Sequence, residues 1–121
     1  MITLRKKKNI RKKMNCNLPE SWIYRFPMIR KMKDEIELLS RHLEVAKAVA
    51  DHQPIGIMKL SELLDLPSHR IRYSLHVLEQ LGYIRASPDG AVATPQTHEL
   101  FMHLNEDLDD LIHLLSVMKK A

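Results

Sequence analysis

Pro67 separates two short amphipathic stretches and prevents them from joining into one helix. Before it, Lys59–Leu66 is apolar at 60, 63 and 64, one side of a two-turn helix. After it, Ser68–Leu81 carries Ile71, Leu75, Leu78 and Leu81 at steps of 4, 3 and 3, an inward stripe at helical spacing. Ser68 is a suitable N-cap for the second helix, and Gly82 stands where a glycine ends one. Two helices are therefore joined through the tight turn Asp65-Leu66-Pro67-Ser68. Off the stripe, the second helix gathers Ser68, His69, Arg70, Arg72, Tyr73 and His76 towards its front. It reads as a helix anchored along one side and equipped for contact along the other.

The flanks narrow the choice further. Tyr83–Ala86 and Ala91–Thr94 are short extended runs, and Ser87-Pro88-Asp89-Gly90 between them has the residues of a type I turn, so a hairpin follows the second helix. Ile55–Met58 is a strand or an extended link after the helix-stopping Gln53-Pro54. Upstream, Met28–His52 reads as one long helix. Ile29, Met32, Ile36, Leu39, Leu43, Ala46 and Ala50 form a heptad seam along it. Leu38, Val45 and Val49 widen its apolar face, which assigns the second half to a globular core and leaves the first half extending from it. Downstream, Thr94-Pro95 starts a second long helix reaching about Lys119. Its seam is Phe101, Leu104, Leu108, Leu111, Leu115 and Met118. The expected fold is mainly α with a small β-hairpin wing.

At this point the residues resemble a family. The run KLSELLDLPSHRIRYSLHVLEQLGYIRASPDGAVAT, within a match from about Val45 to Thr94, resembles the winged helix-turn-helix domain of prokaryotic transcriptional regulators of the MarR/ArsR type. The resemblance rests on the Leu-Ser-Glu-Leu short helix, the Leu-x-x-Leu-Glu-x-Leu-Gly-Tyr-Ile ending and the Asp-Gly wing tip. It implies a recognition helix over Ser68–Leu81 that presents His69, Arg70, Arg72, Tyr73 and His76 to a major groove. An arginine fork suits the O6 and N7 atoms of guanine. Ser68 and the helix start suit a phosphate, as does Arg85 on the wing. The same helix face could instead be merely solvated.

Charge divides the chain unevenly. Its net is +4, yet residues 1–13 alone hold Arg5, Lys6, Lys7, Lys8, Arg11, Lys12 and Lys13 without an acid. The remaining 12 Lys+Arg face 15 Asp+Glu, a net of −3. Residues 55–95 balance four of each sign, so the reading head is neutral. Phosphate contacts supply most non-specific affinity for DNA. Either the basic arm provides that attraction as a set of non-specific phosphate contacts, or the winged helix serves protein assembly instead.

Four segments result: a basic arm over 1–17, a helical dimerisation segment over 18–52, the winged helix over 53–94 and a C-terminal dimerisation helix over 95–121. Within the first boundary lies Cys16, and Trp22, Tyr24 and Phe26 mark a short helix between Pro19 and Pro27. The two seams predict a homodimer, built from Ile29, Met32, Ile36 and Leu39 with the Phe101–Met118 seam, because symmetric regulators read two half-sites with two copies. One cysteine, no signal-peptide core and no membrane-length apolar run suit a cytoplasmic protein. An enzyme is disfavoured: Gly56, Gly82 and Gly90 are each explained by a link, a cap or a turn, leaving no phosphate loop. His103, Asp107 and Asp110 share a helix face and Asp109–His113 are four apart, but such a face opposite a leucine seam is ordinarily solvated. No metal or cofactor is expected, double-stranded DNA is the expected partner, and no effector is named by any motif.

Overall fold

The computed structural model describes residues 27–119. The basic arm, Cys16 and the aromatic segment between Pro19 and Phe26 lie outside the described residues. The order is α1 (Pro27–His52), α2 (Ile57–Leu64), α3 (Ser68–Gln80), β1 (Ile84–Ser87), β2 (Gly90–Ala93) and α4 (Pro95–Lys119).

Helix α1 has 26 residues, and only its second half is buried. Val45, Ala46 and Val49 have no exposed surface and meet Leu60 of α2, Ile71 and Leu78 of α3 and Ile84 of β1 in one core. The widened apolar face thus does what its width implies. Glu44, which hydropathy alone would leave outside, is only 3% exposed. The first half projects away, with Met28, Ile29, Met32 and Ile36 each about half exposed or more.

After α1 the Gln53–Pro54 peptide is cis. The extended link reduces to Ile55, which pairs antiparallel with Ala91 through hydrogen bonds of 3.1 and 2.8 Å. Helix α2 begins at Ile57, two residues earlier than the apolar pattern predicts, and Leu63 is 43% exposed instead of facing the core. The turn is built around Ser61. Its carbonyl accepts the Asp65 and Leu66 amides, and its hydroxyl donates to the Leu66 carbonyl. Asp65 adopts the left-handed conformation, φ 55°, to make the turn.

Pro67, not Ser68, is the N-cap of α3. Ser68 is the first helical residue, and no side chain caps the helix. Proline's fixed φ and extended ψ already turn its carbonyl onto the Arg70 and Ile71 amides. At the other end the expected glycine cap is present in full. Gly82 has φ +88°, its amide bonds Glu79, and the Tyr83 amide bonds Leu78 at 2.9 Å. That is a Schellman motif, and it removes Leu81 from the helix to a surface position 60% exposed. The predicted stripe therefore ends one residue early.

The hairpin pairs Ile84 with Ala93 through Ser87 with Gly90. Gly90 is required twice: φ is +132°, and a Cβ there would lie 2.7 Å from the Ile55 backbone. Helix α4 is tied to the body at its start, where buried Thr97 donates its hydroxyl to the Tyr83 carbonyl. Thr94 donates its hydroxyl to the Gly82 carbonyl. Phe101 packs against the core. From Asp109 to Lys119 every residue of α4 is exposed. The second half of α1 and the two shorter helices α2 and α3, closed by a hairpin wing, with the first half of α1 and the end of α4 projecting, constitute a winged helix.

Candidate nucleic-acid interface

Helix α3 is seated by Ile71, Ser74 and Leu78, all 3% exposed or less. A helix held on that side must present the opposite one. Ser68, His69, Arg70, Arg72 and His76 are accordingly exposed, and Tyr73 is 51% exposed. All six expected contact residues of this helix share its open surface. They divide along it: Arg72 and His76 look towards the wing, whereas Arg70 and Tyr73 look towards α1.

On the wing side, Arg72, His76 and Glu79 line an open cleft of about 420 Å³ completed by Ile55, Ile57 and Ala91. Arg85, on β1 opposite Val92, is exposed. Asp89 at the wing tip is exposed too, an acid where a backbone contact would want a base.

On the α1 side the structure contains a cluster that the sequence pattern leaves unread. The Arg41 Nε–H donates to the Ser74 hydroxyl oxygen at 3.1 Å, and His42 Nδ1 lies 2.9 Å from the same oxygen. Ser74 has no exposed surface, so both contacts occur at the α1–α3 junction rather than in water. The Arg41 guanidinium stands 5.9 Å from the Tyr73 ring centroid, and the His42 and Tyr73 rings are 6.0 Å apart. Burial lowers the Arg41 pKa, the Arg70 charge lowers it further, and Tyr73 opposes them. Burial also lowers the His42 pKa, helped by Arg41 and opposed by Glu35. His42 therefore favours its neutral form. The arrangement satisfying all three groups has the Ser74 hydroxyl accepting from Arg41 and donating to unprotonated Nδ1.

One signal for this cluster was available. Residues 71, 74 and 78 step by 3 and 4, so Ser74 occupies a core position, and a buried hydroxyl requires a partner. Its partners lie 32 and 33 residues away on another helix, a distance no local periodicity spans.

The acidic face of α4 is open. His103 lies 3.7 Å from Glu99 and 3.9 Å from Glu106, with all three side chains more than half exposed. Among the described residues no three His, Cys, Asp or Glu side chains gather as a metal-ligand group. No described helix is long and apolar enough to cross a membrane.

No family model matches the chain, and no curated protein matches it. Among solved structures, Staphylococcus aureus MarR in complex with salicylate and kanamycin is similar over 98% of this chain and 82% of its own. Its TM-score is 0.50 and its identity 15%. The activation domain of the phage T4 transcription factor MotA is similar over 57% of this chain and 79% of its own, with TM-score 0.46 and 19% identity. The likeness to MarR is one of fold, and it extends the winged helix to the long flanking helices.

Proposed function

We propose that the chain is a transcriptional regulator that binds double-stranded DNA in a sequence-specific manner as a homodimer. Helix α3 enters the major groove and the wing lies along the backbone. The observation that carries this reading is the outward set His69, Arg70, Arg72, Tyr73 and His76 on a helix whose opposite side is fixed by Ile71, Ser74 and Leu78. Such a helix offers donors to base edges without costing core packing. Ser68 and Arg85 supply phosphate contacts, and the arm Arg5–Lys13 adds non-specific attraction that the neutral head lacks.

The apolar surface left open on both long helices supports self-association. Ile29, Met32 and Ile36 on α1 are 47–56% exposed, and Leu111, Ile112, Leu114, Leu115 and Met118 on α4 are 45–63% exposed. So much apolar surface on two projecting arms suits an interface. We assign 18–52 and 95–121 to dimerisation and 53–94 to DNA reading.

Selection of bound sequences from random duplex DNA at ~0.15 M salt tests the reading, since at that salt non-specific binding is already weak. The expected outcome is an enriched palindrome with two half-sites. Recovery of unenriched sequence would favour a second reading, a winged helix used for protein assembly. The balanced charge of residues 55–95 and the acid at the wing tip favour that alternative.

A further inference from the structure

We propose that Arg41 and Arg70 together clamp one phosphate of the duplex backbone, with Arg41 held in position by Ser74 and His42. This inference rests on the DNA-binding reading above, moves Arg70 from the base-reading set to the backbone, and adds a contact residue from α1, outside the helix-turn-helix.

Four observations converge on it. First, Arg41 is fixed rather than free: one N–H of its fork is committed to the buried Ser74 hydroxyl. Its guanidinium plane is further confined against the Tyr73 ring. A long surface arginine ordinarily loses much of its binding energy to the cost of being ordered. Here the ordering precedes any ligand. Second, Arg70 is exposed on the first turn of α3, three and four residues before the Tyr73 and Ser74 that Arg41 touches and so on the same side of the helix, and its charge acts on Arg41. Holding like charges together is unfavourable in the free protein, and an anion between them reverses the sign of that interaction. Third, the charges that act on Arg41 are those of Arg70 and Tyr73, while the acid Glu35 acts on His42 beside it. Fourth, the chemistry matches a phosphodiester. Arginine's planar donors pair with two phosphate oxygens at once, which a lysine point charge does not. The clamp also borders Tyr73, so it occupies the flank of the helix surface proposed to read bases, where a backbone strand would run beside the groove.

His42 completes the device as a positioning residue. Its unprotonated Nδ1 accepts a hydrogen bond from the Ser74 hydroxyl, which leaves the Ser74 oxygen's lone pairs facing Arg41.

The test is duplex binding at several salt concentrations by the full-length protein and its Arg41→Gln, Arg70→Gln, double and Ser74→Ala variants. Arg41→Gln should weaken binding about five-fold at ~0.15 M salt and hardly at all near 1 M, equally on selected and random duplexes. The slope of log K against log salt should flatten by ~0.9. The double variant should lose clearly less than the product of the two single losses, because both arginines hold the same phosphate. Ser74→Ala should weaken binding while leaving the slope near wild type, since no charge is removed. Arg41→Lys guards against a fold defect in Arg41→Gln: it keeps the charge and should keep the slope, with reduced affinity. Titration with inorganic phosphate, followed through the Tyr73 and His42 resonances, should give shifts in the wild type that Arg41→Gln abolishes. If Arg41→Gln and Arg41→Lys both fold and bind like wild type while Arg72→Ala still weakens binding, the clamp is wrong and the DNA reading stands. If the wild-type protein binds no duplex at any salt, both fail together.

Discussion

Gly90 shows how much a single residue fixes in this fold. Its φ of +132° is closed to ordinary side chains, and the space a Cβ would need is occupied by the Ile55 backbone, which cannot rotate aside. Gly90→Ala should therefore cost roughly 1–3 kcal/mol of stability, through both strain and a displaced Ile55–Ala91 pairing. Gly56 is the internal contrast. Its φ is an ordinary −91° and open space surrounds it, so Gly56→Ser should be neutral or slightly stabilising as the N-cap of α2. Denaturant titration of the two variants checks the pair; equal stabilities would mean that the hairpin tolerates a shift of the Ile55 strand. His42 offers a second residue-scale test. Its folded pKa lies below the ordinary 6.5, so between the two values the unfolded chain holds a proton that the folded one does not. Stability is then full above pH 6.5 and declines as pH falls towards the folded value. Burial, and after it the Arg41 charge, set this on one side, and Glu35 opposes them. His42→Gln, compared with wild type from about pH 7.5 down to about pH 5, should show a shallower decline. Parallel curves would remove His42 from the account.

At the scale of elements, what could be read from sequence and what could not have different physical origins. Local rules gave the breaker Pro67, the Schellman cap at Gly82, the Pro88-Asp89 hairpin and the extents of both long helices to within a residue or so. Each depends on φ restrictions or on periodicity, and those are properties of a few neighbouring residues. The errors lie where chain crossings decide. Leu63 and Leu81 are apolar residues at helical spacing, yet they stay 43% and 60% exposed. Ser74 is polar and fully buried because α1 brings Arg41 and His42 to it. For the candidate interface, the outward residues of α3 were legible as the complement of its stripe, whereas the Arg41 side of the site was not. Asp65 is another feature set by geometry. It holds a left-handed conformation at the C-terminus of α2, where a negative charge also opposes the helix dipole. Asp65→Asn keeps a side chain tolerant of that conformation and removes the charge. It should stabilise the domain by about 0.3–1 kcal/mol. A loss of stability in thermal melting would mean that the carboxylate has a structural partner the geometry does not reveal.

For the molecule as a whole, the question is what covers the projecting helices. In one chain, α1 before Leu43 and α4 beyond Leu108 expose most of their apolar residues, while the body between them is packed. Their charges differ in character. Helix α4 carries Glu99, Glu106, Asp107, Asp109 and Asp110 with no lysine or arginine before Lys119, whereas the projecting half of α1 balances Arg30, Lys31 and Lys33 against Asp34, Glu35 and Glu37. Two copies of α4 side by side would bring acids together, so pairing of α1 with the partner's α4 is the arrangement electrostatics favours. Leu111→Asp combined with Leu115→Asp places two further acids on surface that is already 45–49% exposed in the single chain. The winged helix should therefore remain folded while the dimer dissociates. Sedimentation should show wild type as a dimer and the double variant as a monomer at tens of micromolar, a concentration on the order of weak-dimer affinities. Melting of wild type should depend on protein concentration, and melting of the variant should not. The DNA consequence follows from linkage. Two recognition helices joined in one particle bind two half-sites as a single event, so the variant should lose about 10²-fold or more on a palindrome and far less on an isolated half-site. A wild-type protein that sediments as a monomer, or a double variant that remains a dimer, would move the interface off these two helices. The two results are distinct: the first removes the homodimer, and the second only its assignment to α1 and α4.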